Sequence, residues 1–393
     1  MDGNKRKLNV LFLFAKLVIG GAERTLIDLV PRLNRREFNP LVVCLKEKAA
    51  FGEEMERRGV PVIEKLARNK FDIAVLPKLA RIMRRHKTNA IYTLDHDNAM
   101  FWGRIITLLF NIPVSLTVIH TTVRRDGSDT LNWIGKMFMP LTDRLIATAA
   151  GSREYLVRRQ RVHPRKVALI YNGVDLNGIQ EARRRKRLRK SDFGIPEKAK
   201  VVGIVAAFKP EKAHHIFLQA AKKILSRKKD VYFLLVGDGP QRKNIERTIS
   251  ELGLQNRAFI TGFRKDMPDV FQVLDVSVLS SDPRCETFSL TILESMAAGL
   301  PVVVTRVGSM DEMVFNDVNG YLVPPRNPDR LADAIFRIIH DEQRQRRFGE
   351  NSIRIANERF QVDRMVRETE ELIRRIYEEK VGKLAVTGQY YRI

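Results

Sequence analysis

The chain has few cysteines, no long apolar run and a shortage of acidic side chains. Its 393 residues include two cysteines, Cys44 and Cys285, far apart and without metal-ligand spacing. That excludes a disulfide framework and a cysteine-built metal site, and it suits a reducing compartment such as the cytoplasm. No stretch approaches the length of about 18 apolar residues that a spanning helix needs. The most apolar window, AMFWGRIITLLF at 99–110, is short and carries Arg104. KRK followed by LNVLFLFA has the outline of a signal peptide, but Lys16 interrupts the apolar run and a glycine-rich loop follows, so a first β-strand is expected there. Internal repeats of 20–50 residues are lacking beyond two similar halves, and the one low-complexity tract is basic. Against 70 lysines and arginines stand 46 acidic residues, a formal net charge of +24. Seven of the eight residues in RRRKRLRK (183–190) are basic, with further clusters at 153–166 and 81–87. Such a field attracts anionic surfaces, phospholipid or nucleic acid, unless it is simply a solvated face. The aromatic interleaving and modules of nucleic-acid readers are missing, so no nucleic-acid partner is expected.

What is present begins with enough apolar residues, 44%, to fill the two cores that a chain of this length requires. Short apolar runs alternate with helical patterns: LNVLFLFA, LVVCL, AIYTL, VSLTVIH, RLIATA and VALIYNGV first, then VVGIVAAF, VYFLLVGD, AFITGF, VSVLSS and PVVVT. The alternation predicts βαβ units and parallel sheets covered on both faces. A polar, basic interval at 176–196 contains no such run and reads as the connection between a first domain, 1–175, and a second, 197–364.

The most informative stretch is DPRCETFSLTILESMAAGLPVVVT, 282–305. It lies between two predicted strands, with Gly299 placed to end the helix between them. Glu286 falls in the loop, and Glu294, eight residues on, is expected about two turns down the helix. In parallel sheets ligands sit beyond the carboxyl ends of the strands, where helix N-termini offer backbone N–H groups to anions.

This stretch closely resembles the Glu-x7-Glu element of retaining GT-B glycosyltransferases of the family-four type, the glycosyl transferases group 1, and the resemblance covers most of the chain. GGAERTLIDL (20–29) is similar to that family's glycine-rich first loop and helix, VIH (118–120) to its histidine-bearing strand end, and YNGVD (171–175) to its crossing between domains. PEKA (210–213), VGDGP (236–240) and GYLVPPRNPDRLADAI (320–335) match its donor-domain landmarks in order. The resemblance implies an α/β GT-B fold of two Rossmann-like domains facing across a cleft. The first would take the acceptor, and the second a UDP- or GDP-linked sugar. A final helix, about 365–393, would pack back on the first domain. Implied too is a metal-independent hexosyltransferase that needs no cofactor and retains the anomeric configuration. It would act on a lipid-linked or saccharide acceptor in the assembly of envelope glycolipid, lipopolysaccharide or polysaccharide. The expected place is the cytoplasm, or the inner face of the cytoplasmic membrane, whose anionic surface would be a second partner.

Carried onto this chain, the resemblance assigns Lys212 to the leaving diphosphate. It assigns Glu286 to the donor sugar near the reacting carbon, and Glu294 to the ribose hydroxyls. The backbone N–H groups of Phe288, Ser289, Leu290 and Thr291 would face the distal phosphate. Gly20 and Gly21 would let backbone approach the donor phosphates, His120 would lie against the sugar, and Gly237 would admit the base or ribose, unless it merely serves a turn. The chain departs from the pattern at Ala207, where arginine is common, and at Ala213, where glycine is usual. Lys209 is the expected substitute cation. These departures keep open a non-catalytic protein that binds a nucleotide sugar, and a sugar-nucleotide epimerase of the same architecture is a further alternative. DHD, Asp95, His96 and Asp97, spells a metal-binding motif but falls where the family binds acceptor, so the three are read as acceptor contacts. His214 and His215 lack partners at ligand spacing and are expected on the surface at a helix start. AMFWGRIITLLF, with Phe101 and Trp102 beside Arg104, reads as a core helix in preference to a membrane contact.

Overall fold

The computed structural model describes residues 7–16, 20–69, 72–94, 97–120, 122, 131, 133–185, 187–283 and 286–387, and for 22, 97–98, 133–134 and 382–387 the backbone alone. The chain forms two compact units, residues 1–173 with 362–393, and residues 174–361.

The first unit is a seven-stranded sheet of β1 (Leu8–Phe14), β2 (Phe38–Cys44), β3 (Val62–Ile63), β4 (Ala90–Leu94), β5 (Val114–Ile119), β6 (Arg144–Ala147) and β7 (Val167–Leu169). Their order is β3-β2-β1-β4-β5-β6-β7, every pairing parallel. Continuous apolar sequence in β1 follows from this position, because helices cover both faces and Val10 to Phe14 are fully buried. The Val362–Thr387 helix places Val362, Met365, Val366, Leu372, Ile373 and Ile376 in one core with Phe12, Phe14 and Leu116. Arg374 anchors it to Glu37 at 2.8 Å and Lys380 to Asp143 at 2.6 Å.

In the second unit β8 (Lys200–Val205), β9 (Val231–Val236), β10 (Ala258–Gly262), β11 (Val276–Leu279), β12 (Val302–Thr305) and β13 (Gly320–Val323) pair in the order β10-β9-β8-β11-β12-β13, again all parallel. Phe208, Phe217, Phe233 and Phe348 are fully buried in its core.

The basic interval expected to connect the units belongs to the second one. Leu176–Arg185 is a helix that buries Leu176, Ile179 and Ala182 and packs against the Met267–Phe271 and Leu290–Ala297 helices. Three apolar side chains at a spacing of three suffice for one helical stripe, and the arginines between them hide it from a search for continuous runs. The AMFWGRIITLLF window lies in the Asp97–Phe110 helix, where Ala99, Trp102 and Ile106 enter the core. Arg104 is buried with it, donating to Thr142 Oγ1 at 2.9 Å and to the Gly135 carbonyl at 2.8 Å. Burial lowers its guanidinium to about 10.

Candidate functional site

In a doubly wound sheet a crevice opens where the strand order reverses, beyond the carboxyl ends of the two strands involved. In the second unit the reversal falls between β8 and β11, since β9 and β10 continue on one side and β12 and β13 on the other. The loops leaving β8 and β11 carry Lys212 and Glu286. Their side chains form an ion pair, with Lys212 Nζ on Glu286 Oε2. Both are largely enclosed, the lysine side chain 21% and the glutamate 9% exposed. The sequence places these groups 74 positions apart, and the topology joins them.

Polar groups at the end of β11 fix the pair. Ser281 Oγ donates to the same Glu286 oxygen at 3.0 Å, and the Ser281 carbonyl accepts from Thr305 Oγ1 at 2.7 Å. Ser280 Oγ lies 3.0 Å from the Lys212 carbonyl and 3.1 Å from that of Ala213. The Asp282 N–H donates to the Glu211 carbonyl at 2.8 Å, closing one loop on the other. Gly308, at φ +54°, brings the turn after β12 against the Glu286 carbonyl, with which a Cβ would collide. None of Ser280, Ser281, Thr305 and Gly308 stood out in the sequence. The only available signal was a serine pair closing an apolar strand just ahead of a glutamate.

Lys212 ends a short 3-10 turn, Pro210–Lys212, and Ala213 follows at φ +45°, ψ +47°. A left-handed conformation at a residue with a Cβ costs about 1–2 kcal/mol. Ala213 is the only buried one among the described non-glycine residues with positive φ. The Leu290–Ala297 helix begins at Ser289, whose Oγ accepts from the Ile292 N–H at 3.4 Å. By position the N–H groups of Leu290 and Thr291 lack intrahelical partners. Phe288 packs edge-on against Phe360, ring centres 5.4 Å apart. Glu294 is half-buried and one turn into the helix, not two, because residues 286–289 remain loop.

Other expected residues fall as follows. Gly20 precedes and Gly21 opens the Gly21–Leu29 helix after β1, at the first sheet's own reversal between β1 and β4. His120 directly follows β5 and is half-buried. Asp95 and His96 lie outside the described residues; Asp97 opens its helix, and its side chain lies outside them too. Lys209 starts the 3-10 turn, half-buried, and Ala207 is exposed. Gly237, at φ +143°, has a structural reason of its own, since a Cβ there would collide with the Ala206 carbonyl.

His214 departs from its expected surface position. It is 3% exposed, packs edge-on against Phe208 with ring centres 4.9 Å apart, and neither ring nitrogen has a hydrogen-bond partner. Burial, reinforced by the Lys212 and His215 charges, pushes its imidazole down to about 4. The left-handed turn at Ala213 swings the helix start inward, so the first helical side chain enters the core and the second, His215, stays outside. Among the described residues no group of three His, Cys, Asp or Glu is placed to hold a metal ion. A cleft of about 430 Å³, lined by Arg183, Lys200, Asp275, Gly299, Glu342 and Arg346 among others, lies at the amino ends of β8, β11 and β12, the opposite end of the sheet.

The family model for glycosyl transferases group 1 matches residues 185–354, and that for Glycosyltransferase Family 4 matches residues 19–177. The UDP-Gal:alpha-D-GlcNAc-diphosphoundecaprenol alpha-1,3-galactosyltransferase of Escherichia coli is 24% identical over 87% of this chain and 90% of its own. The N-acetyl-alpha-D-glucosaminyl L-malate synthase of Bacillus anthracis is 26% identical, over 80% and 82%. Among solved structures, Anabaena HepE in complex with UDP superposes with a TM-score of 0.80 at 26% identity, covering 93% of this chain and 99% of that one. HepE in complex with UDP-glucose gives the same values. Two parallel α/β units and a charged pair at the second sheet's reversal agree with these likenesses: the chain is a glycosyltransferase of the group 1, family-four type, with a GT-B fold.

Proposed function

We propose that the protein transfers a hexosyl unit from a UDP-linked donor held by the second unit to a lipid-linked or saccharide acceptor, with retention and without a metal. The observation that carries this reading is the Lys212–Glu286 pair, set between two strand ends and beside a helix N-terminus. An ammonium has three donors, so Lys212 can hold Glu286 and still direct N–H groups at a diphosphate. The backbone N–H groups at 288–291 suit its distal phosphate, and Glu294, one turn on, suits the ribose diol. Glu286 is already engaged by Lys212 and Ser281, which favours a positioning and electrostatic role over attack on carbon. In the step we envisage the anomeric carbon leaves the phosphate oxygen as the acceptor oxygen bonds on the same face. The acceptor proton passes to the departing phosphate, whose charge Lys212 stabilises. Both the UDP complex of HepE and the UDP-Gal donor named for the E. coli relative support uracil as the base.

The relatives' names also support an acceptor from envelope glycan assembly, including the diphosphoundecaprenol substrate of the E. coli enzyme and an O-antigen chain mannosyltransferase. The membrane reading is supported by large apolar side chains exposed in the first unit. Leu108, Leu109 and Met137 are 59%, 61% and 56% exposed, with Lys136 exposed beside Met137 and Arg84 lying over the Phe110 ring. No helix among the described residues is long and apolar enough to cross a membrane. Exposed apolar side chains on a basic unit suit an anionic lipid surface touched without spanning. Calorimetric titration with UDP, GDP and their sugars tests the donor, and the product's anomeric proton coupling in NMR tests retention. Inversion, or binding of no nucleotide, would reject the reading. Co-sedimentation with phosphatidylglycerol vesicles that survives Leu108→Ser with Leu109→Ser would reject the membrane reading.

A further inference from the structure

Two adjacent serines at the end of β11 each hold a different half of the donor site. Ser280 and Ser281 are 0% and 1% exposed, so neither serves solubility, and their hydroxyls point to opposite loops. Both serines directly follow β11, in the loop where the chain passes between the Lys212 turn and the Glu286 segment. Ser280 Oγ donates to the carbonyls that flank the left-handed turn, those of Lys212 and Ala213. It therefore sets the turn that aims the Lys212 ammonium. Ser281 Oγ donates to the Glu286 carboxylate, and its own carbonyl is fixed by Thr305, itself 1% exposed.

We propose that Ser280 and Ser281 are positioning residues with separate duties: Ser280 sets Lys212 for the diphosphate, and Ser281 sets Glu286 for the sugar. The proposal rests on the donor-site reading above. Its particular content is that two neighbouring hydroxyls divide affinity for one ligand into a nucleotide part and a sugar part. A hydrogen bond to a charged group contributes about 1.5–3 kcal/mol, or roughly 10- to 100-fold in binding. A structural role alone would weaken both parts together.

The test measures, by calorimetry on the full chain, affinities for UDP and for whichever of UDP-glucose, UDP-galactose and UDP-N-acetylglucosamine binds best. For Ser281→Ala we expect unchanged UDP affinity and a loss of about tenfold or more in the extra affinity that the sugar confers. For Ser280→Ala we expect UDP affinity to fall about tenfold while the sugar's increment persists. Adding Ala213→Gly to Ser280→Ala should restore part of that loss, since glycine takes the turn without strain. If an alanine variant unfolds, Ser280→Cys or Ser281→Cys, with a weaker donor of similar shape, replaces it. Equal loss of both affinities, or loss of neither, overturns the proposal. Lys212→Ala and Glu286→Ala are the controls. If wild type binds no UDP-sugar, or if neither control changes binding, the donor-site reading fails instead.

Discussion

The strands β8 and β11 carry an acid–base cluster at each of their ends, and the two clusters are built differently. At the amino end Asp275 accepts from Lys190 at 2.9 Å, from the Val201 N–H at 2.8 Å and from Gln345 at 3.0 Å, with Lys200 at 3.8 Å. One of those donors is backbone of β8, and another sits on the Glu342–Arg359 helix, so the carboxylate ties sheet to helix. At the carboxyl end Glu286 accepts from two side chains, Lys212 and Ser281, in irregular segments beside a helix N-terminus. A carboxylate held by several elements welds them together. One held by two side chains at a crevice can exchange a partner for a ligand. Similar chemistry therefore supports a structural role at one end and a functional role at the other.

The sharpest way to break that contrast is to remove each carboxylate. Glu286→Ala should lower turnover about 10²- to 10³-fold, the scale for loss of one preorganised electrostatic group, beyond whatever stability is lost by leaving Lys212, 21% exposed, without its carboxylate. Asp275→Ala should cost stability and spare turnover. It leaves Lys190, 18% exposed, without a carboxylate partner and Lys200 with Glu342 alone, and should cost about 3 kcal/mol of stability while surviving folded molecules keep their turnover. Turnover comes from initial-rate assays and stability from denaturant unfolding. Asp275→Ala molecules that are stable but inactive would show that the two ends do not divide the roles.

His214 gives the carboxyl end a pH signature of its own. Its imidazole, held at about 4, remains neutral in the folded chain when an unfolded one, near 6.5, would already bind a proton. Stability is therefore complete above about pH 6.5, is lost as pH falls toward about 4, and levels off below that. The difference amounts to about 3 kcal/mol across the window. His214→Leu should flatten this acid limb in a pH series of unfolding midpoints. A smaller effect is expected for Glu294→Gln, which keeps the shape but halves the charge-assisted bonding to a diol: UDP affinity should fall about tenfold by calorimetry, with turnover at saturation retained.

Much of this site was legible because its residues lie in short local motifs. The strands β8, β11 and β12 and the helix after Ser289 follow from apolar runs and from the rule that ligands gather at strand ends, while Lys212 and Glu286 were singled out by the family resemblance, which did not give their ion pair. What escaped depends on contacts distant in sequence or on a few side chains. The Leu176–Arg185 helix shows three apolar residues among arginines, and only their burial against the second unit's own helices separates it from a linker. His214 read as polar and exposed because histidine usually is, and a single backbone angle at Ala213 turns it inward. Ser280 and Ser281 looked like the polar end of a strand until their partners were known.

That angle supplies the smallest test. Ala213 holds φ +45° where the family resemblance expects glycine, and it is buried between Lys212 and His214. Replacing it with glycine removes about 1 kcal/mol or more of left-handed strain but adds freedom to the unfolded chain, which offsets part of the gain. Ala213→Gly alone should therefore change overall stability by less than about 1 kcal/mol. The informative outcome is how Lys212 responds. If Ser280 sets the turn, glycine leaves UDP affinity unchanged in the presence of the serine and raises it in its absence. If strain at Ala213 itself aims the lysine, glycine weakens UDP binding even with Ser280 intact, and the ordering of the carboxyl end would then belong to the backbone more than to the hydroxyl pair.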